Sequence, residues 1–378
     1  MAQAVQKKSD NVFVFPEKKR YKPDNIDNFL ADLPSVSGPE WIIKACEEAR
    51  VRLKDKGLPT PKLERWKYTD LPKDLRRKNL SYAPAQIEYK GPKDILKTPD
   101  SLTDKQRYFI NEPVRGSEKY KDTMLADLAI ASGETPFVIH KNVNNDVDKP
   151  VELYIHGSEG HFNCPVVFIH VESGQELTLI EIHSGEASGE FWKNMLTRIL
   201  LEDGARLNHY RFQEDPEHAV NTGFTEVIIN QNAVYKAFTL TDGAGLSRNQ
   251  IHACITGERA DCTLNGVNLL EGQQTGDTTI TIEHLSPGCT SNQFYRSLLA
   301  DKSHCVFQGK VHVHKEGQQT DGYQLSNAIL LSEFAEMDTK PELEIYADDV
   351  KCSHGATTGQ IEDEPIFYMK SRGIPENE

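Results

Sequence analysis

No stretch of the 378-residue chain approaches the ~18 consecutive apolar residues of a membrane span, and Met1-Ala-Gln-Ala-Val-Gln-Lys-Lys-Ser-Asp10 carries no apolar leader core. The expectation is a cytoplasmic chain with no membrane partner. Basic charge is also short: 43 Lys and Arg stand against 57 Asp and Glu, a formal net charge of −14. That balance argues against general binding to nucleic acid or to an anionic lipid surface, which needs clustered cations to displace counterions, and leaves room only for local basic patches. Seven cysteines, an odd number, are scattered without a Cys-x-x-Cys pair, so reduced thiols are expected. Four motifs of chemistry are missing too: Gly-x-x-x-x-Gly-Lys-Ser/Thr, Gly-x-Gly-x-x-Gly, His-Glu-x-x-His and Gly-x-Ser-x-Gly. Their absence argues against an enzyme, and any ATP chemistry belongs to a partner.

The segments present fall into three regions, read as 1–133 (helical and irregular), 134–355 (β-rich) and 356–378 (the start of a helical region). In the first, Trp41, Ile42, Cys46, Ala49 and Leu53 recur at helical spacing from Pro39 to Leu53, and Met124-Leu-Ala-Asp-Leu-Ala-Ile130 suits a helix packed on something larger. Between them, Glu64-Arg-Trp-Lys-Tyr-Thr-Asp-Leu-Pro72 sets two aromatics among charges and reads as a loop anchored by buried rings. In the third, Glu362 to Gly373 reads as a short helix, and Pro375–Glu378 resembles the opening of another.

From Pro136 to Val350 short alternating or β-branched runs dominate, at 137–140, 151–155, 166–171, 177–182, 206–212, 226–229, 234–240, 262–264, 279–282 and 311–313. Turns at Glu172-Ser-Gly174, Glu202-Asp-Gly204, Asn230-Gln-Asn232, Thr256-Gly-Glu258, Ala300-Asp-Lys302 and Leu331-Ser-Glu333 recur at separations of 30, 28, 26, 44 and 31 residues. That period, without long intervening helices, marks stacked repeats. A mainly β solenoid, a β-helix, is favoured over a two-sheet sandwich, whose turns come every 8–12 residues. Its open ends require caps, and the N-terminal helical region is the natural one.

Chemistry concentrates between Pro341 and Gly359. Leu343, Ile345 and Ala347 alternate, and a strand continuing through them puts Cys352 and His354 on one face. A thiolate and an imidazole suit zinc or iron–sulfur sites. Their Cα atoms, about 6.6 Å apart at ~3.3 Å rise per residue, are an awkward fit to one ion, whose donors sit about 3.5 Å apart. Two donors also leave the site open, so further ligands must come from elsewhere in the chain or from another subunit. Taken alone, a buried cysteine beside a hydrogen-bonded histidine is the plainer reading. His312 and His314, with His304 and Cys305 upstream, read as a solvated strand face. Glu283-His284 with Cys289 could bind metal, but it sits beside a Ser-Pro-Gly turn where satisfied polar side chains are ordinary, and Cys254 and Cys262 are expected in the solenoid interior.

At this point the residues resemble a known family, the SufB/SufD iron–sulfur cluster assembly scaffolds. The resemblance runs through Arg65-Trp-Lys-Tyr-Thr-Asp-Leu71, Arg248-Asn249, Glu283-His-Leu-Ser-Pro287, Ser291-Asn-Gln293, Phe307-Gln-Gly309, Thr320-Asp-Gly-Tyr-Gln-Leu325, Leu330-Leu-Ser332, Asp338 to Ile345, Ala347 to Thr357 and Ser371-Arg-Gly373. The Cys-Ser-His-Gly-Ala-Thr segment looks like the SufD branch, since SufB-like chains carry a Glu-His-Glu-Ala type sequence there. The resemblance implies a right-handed parallel β-helix flanked by helical regions, paired through its end with a SufB-like subunit. It implies a transient iron–sulfur cluster held with His354 and Cys352 and completed by that subunit. It also implies a SufC-like ATPase docking on a C-terminal helical segment that this chain, ending at Glu378, only begins. A non-catalytic scaffold is thus the leading expectation. The alternatives are a β-helix enzyme acting on polysaccharide through paired carboxylates, and a homodimeric structural module.

Overall fold

In a computed structural model of the chain, the described residues are 30–375 apart from 77, 115–121, 146, 148, 187–188 and 361–362; the helix opening expected at Pro375–Glu378 lies mostly outside them. Two parallel ladders run the length of the molecule. Sheet I orders the strands Glu336–Ile345, His304–Val313, Thr275–His284, Leu246–Ile255, Val220–Ile229, Trp192–Leu201, Val166–Val171, Phe137–Lys141 and Leu96–Lys97. Sheet II orders Gln86–Lys90, Val151–Gly157, Glu176–Gly185, Arg206–Gln213, Val234–Asp242, Asp261–Leu270, Thr290–Leu299, Thr320–Leu330 and Val350–Gln360. The chain alternates between the sheets, so each coil adds one strand to each. This is a parallel β-solenoid of about eight turns, as the sequence period indicates.

The interior is built from alternate residues of both sheets, among them Leu179, Leu207, Leu264, Ile199, Val227, Ile251, Ile280 and Phe307, all within one apolar cluster. Sheet II leaves its other face to solvent, hence the alternation of buried and exposed positions in Glu176–Gly185 and Val234–Asp242. Sheet I strands such as Trp192–Leu201 and Val220–Ile229 are buried at every position. The cover is the N-terminal region: α1 (Glu40–Lys56), α2 (Leu71–Leu75), α3 (Asp104–Asn111) and α4 (Met124–Ala131). α1 packs on α4 with Arg52 donating to Asp127 Oδ1 at 2.6 Å, and α4 lies on Trp192, Leu196, Val220 and Phe224. A last helix, α5 (Asp363–Ser371), exposes Phe367, Tyr368 and Met369.

The helices cover a face of the solenoid, and the end cap expected of them is supplied by strands. Gln86–Lys90 pairs antiparallel with Val151–Gly157, and Leu96–Lys97 antiparallel with Phe137–Lys141, closing both edges of the first coil.

In six successive coils the corner after the sheet I strand turns on a residue with positive φ: Gly174 (70°), Gly204 (70°), Asn232 (54°), Arg259 (53°), Gly288 (67°) and Gln319 (59°). The amide of each reaches the next coil, as Gly174 N–H does to Asp203 O at 2.9 Å and Asn232 N–H to Glu258 O at 2.9 Å. The hydrogen-bond ladder therefore continues through the bends. The first four turns read from the sequence lie on this corner, whereas Ala300–Lys302 and Leu331–Glu333 lie on the opposite one, after sheet II strands. The irregular separation of 44 residues comes from changing corners.

Candidate functional site at the last coil

The stretch from Pro341 to Gly359 is two strands rather than one. Glu336–Ile345 ends sheet I, the chain bends over 346–349, and Val350–Gln360 ends sheet II. Cys352 and His354 still share a face, because both lie within the second strand at i, i+2. Their register partners on Thr320–Leu330 are Gly322 and Gln324. Each of the two terminal strands is paired on one side, and among the described residues no strand pairs with its far side. Pro341, which has no N–H to offer a ladder, sits on such an edge.

Cys352 is half-buried against Val311, Val313 and Ala347, which identifies the shared face as the inner one. Its sulfur packs over Gly322, where a Cβ would just touch it at 3.4 Å. Burial pushes the Cys352 thiol up from its ordinary pKa, the Gly322 N–H draws it down, and the Asp321 charge raises it again. The net upward shift keeps the thiol protonated near neutrality, so it becomes a ligand only by giving its proton up to a metal. His354 is exposed, the last coil leaving that rung uncovered.

Beneath His354 lies a rung of buried amides. Gln324 Nε2 donates to Glu342 O at 3.2 Å, and the facing Gly309 lacks a side chain that would meet Gln324 Oε1 at 2.6 Å and Gln293 Oε1 at 2.9 Å. Apolar groups are exposed on the neighbouring elements: Tyr323, Leu325, Ile329, Leu331, Phe334 and Tyr346. Among the described residues no third His, Cys, Asp or Glu joins Cys352 and His354 closely enough to share an ion. The arrangement presents two metal donors at an open edge and closes no site by itself.

The family-like segments at 65–71, Arg248 and Gln308 are structural. Trp66 is fully buried under the Arg248 guanidinium, 3.7 Å from its ring centroid. Arg248 pairs with Asp277, Thr69 donates to the same carboxylate, and Arg248 and Gln308 both donate to Arg65 O at 3.0 Å. The 64–72 loop is thus a clamp of the N-terminal region onto sheet I, as the anchored-ring reading expects.

Other sequence readings shift. Cys262 faces the interior, but Cys254 faces outward among Leu200, Ile228 and Phe168. His312 is buried and not part of a solvated face. Glu283 and His284 point to opposite sides, His284 inward with its Nε2 2.9 Å from Ser291 Oγ. All seven cysteines are unpaired. Stacking the sequence at the coil period reveals what single-strand reading misses. Cys254, Glu283 and His312 are 29 residues apart and lie side by side across three strands.

Residues 154–378 match the family described as SUF system FeS cluster assembly, SufBD core domain. The iron-sulfur cluster assembly protein SufD of Escherichia coli is 29% identical over 343 residues, covering 84% of this chain and 81% of that protein. An iron-sulfur cluster assembly SufBD family protein of Synechocystis is 31% identical over 218 residues (56% of this chain, 48% of that protein). The chloroplastic protein ABCI7 of Arabidopsis thaliana is 31% identical over 240 residues (60% and 50%). The chain spans about half the length of the latter two. Among the described residues no helix is long and apolar enough to cross a membrane.

Proposed function

Because this chain belongs to the SufBD family of iron–sulfur cluster assembly proteins, and to its SufD type, we propose that it is a non-catalytic scaffold whose last coil supplies half of a cluster-assembly site. The observation that carries the proposal is the edge strand Val350–Gln360, which holds an exposed His354 and a half-buried Cys352 with no third ligand near among the described residues. A SufB-like subunit pairing with this open end adds the missing donors, and the nascent cluster is the cargo assembled between them. An associated SufC-like ATPase drives the step, because this sequence carries no phosphate loop. His354 is the more accessible ligand. Cys352 is the reserve, reached when the coil shifts enough to let its thiol lose a proton.

The test is cluster formation in a complex reconstituted from this chain with SufB-like and SufC-like subunits. His354→Ala is expected to leave the complex intact and to lower the yield of bound iron and sulfide by about tenfold, the lower end of what loss of a supporting group costs a metal site. An unchanged yield removes His354 from the site. The same open edge also fits a second copy of this chain. Native mass measurement with and without the SufB-like subunit separates the two: exchange of a homodimer for the heterodimer supports the scaffold, and indifference to the SufB-like subunit supports a homodimeric module.

A further inference from the structure

A second group of metal-binding side chains lies on the outer face of sheet I, away from the last coil's inner face. Cys254, Glu283, His312 and Glu344 occupy one rung across four neighbouring strands. His252 flanks this rung on one side and His314 on the other. The Glu283 carboxylate is at the centre: its Oε1 lies 3.2 Å from His252 Nε2, and its Oε2 lies 3.2 Å from His314 Nε2. Cys254 Sγ is 3.6 Å from the same His252 nitrogen. The ligand atoms of His252, Cys254 and Glu283 are mutually within 4.8 Å, and so are those of Glu283, His312 and His314.

We propose that His252, Cys254 and Glu283 bind one divalent transition-metal ion, with His312 and His314 orienting the shared carboxylate. Donors bonded at about 2.0–2.3 Å to a tetrahedral ion stand roughly 3.3–3.8 Å apart, close to the spacings of 3.2 and 3.6 Å found here. His252 Nε2 faces both a carboxylate oxygen and a sulfur, the three donors a single ion would share. Imidazole, thiolate and carboxylate together select a borderline-soft ion such as Zn²⁺ or Fe²⁺ over Mg²⁺ or Ca²⁺.

Support beyond the ligands is present. The His312 and His314 ring centroids lie 4.0 Å apart with the planes tilted by 34°. His312 Nε2 lies 3.9 Å from Glu344 Oε1, and that carboxylate is held by the Tyr346 hydroxyl at 2.7 Å and by Lys310 at 2.5 Å. Such outer partners fix the orientation of ligating groups. His252, Cys254, Glu283 and His312 are buried, while His314 is half-exposed and marks the side from which an ion and a water ligand enter. Binding releases the Cys254 thiol proton to solvent.

The site is independent of the proposed role of Cys352 and His354. The full chain, stripped with a chelator and titrated with Co²⁺, is expected to take up one ion with a thiolate-to-cobalt charge-transfer band, and Zn²⁺ should abolish that band by displacement. Cys254→Ser should lose the band, Glu283→Gln should weaken binding by about tenfold or more, and His314→Ala should weaken it less. The band should persist in a Cys352→Ser, His354→Ala double variant. X-ray absorption at the cobalt edge of the unaltered chain, which needs no variant to fold, should count one sulfur scatterer. Absence of stoichiometric binding, a sulfur-free cobalt shell, or a band that survives Cys254→Ser would overturn the site and leave a hydrogen-bonded His–Glu–His ladder.

Discussion

The open end of the solenoid sets its cysteines apart in reactivity. Cys46, Cys164, Cys254, Cys262, Cys289 and Cys305 are buried, while Cys352 is half-buried. Brief alkylation of the native chain is therefore expected to add one adduct, at Cys352, slowly at pH 7 and faster toward pH 9 as the raised thiol titrates. Mass spectrometry of the wild type and Cys352→Ser reads the result, and adducts at the other cysteines would contradict it. A second residue-scale test lies in the interior. His183 is fully buried, 2.5 Å from Glu181 Oε1, and burial together with the Arg211 charge lowers its pKa to about 4. The folded form keeps His183 neutral, whereas an unfolded histidine takes up a proton below about pH 6.5. Stability held above that pH is thus lost as pH falls from about 6.5 to about 4, by on the order of 3 kcal/mol at ~1.36 kcal/mol per pKa unit. Thermal melts of His183→Gln should show a shallower decline across this window than the wild type.

At the scale of the strand, legibility followed apolar composition as much as exposure: Val166–Val171, buried throughout, is nearly all β-branched or apolar and was read with its bounds, while the polar-rich Thr290–Leu299 and Thr320–Leu330 were missed although they alternate. Sheet II strands such as Arg206–Gln213 and Val234–Asp242 bury one face, so they alternate and were readable to within a residue or two. Trp192–Leu201 and Leu246–Ile255 are buried on both faces by the N-terminal region and carry Lys193, Arg198 and Arg248 inside, which erases the alternation. These strands were not legible. Burial of such cations is met by partners: Lys193 pairs with Asp215 at 2.5 Å, and Arg198 Nε donates to Glu226 at 2.7 Å. At the candidate site, the i, i+2 spacing of Cys352 and His354 showed that they share a face. That they lie on a terminal strand, in the sheet opposite Leu343 and Ile345, depended on the bend at 346–349. The Cys254–Glu283–His312 rung was hidden because its members are one coil apart, a neighbour relation that needs the exact coil length.

Corner geometry gives a test at the same scale. Gly257 sits where a Cβ would approach Gln231 N within 1.9 Å, against backbone of the preceding coil with no flexible side chain to yield. Gly257→Ala is expected to cost about 2–3 kcal/mol or more through backbone displacement, read as a lower midpoint in urea unfolding. Gly272→Ala, where nothing lies within 4 Å but φ is +59°, should cost only about 1 kcal/mol of backbone strain. Equal effects at the two positions would contradict the coil-to-coil contact.

For the whole molecule, the asymmetry of the ends is the central feature. The first coil is closed by antiparallel strands and sheet I is covered by helices, whereas among the described residues the last coil keeps two unpaired strand edges beside exposed apolar side chains. Unpaired edges invite association, and in a stacked-coil protein a partner at the end propagates the ladder without remodelling the interior. The account therefore rests on Val350–Gln360 being the strand a SufB-like partner completes. Amide hydrogen exchange of this chain, alone and with the SufB-like subunit, tests it most directly. The account predicts that Val350–Gln360 amides facing away from Thr320–Leu330 exchange quickly in the free chain and slow at least tenfold in the complex, while Trp192–Leu201 is unchanged. Equal exchange of Val350–Gln360 in both states would contradict it.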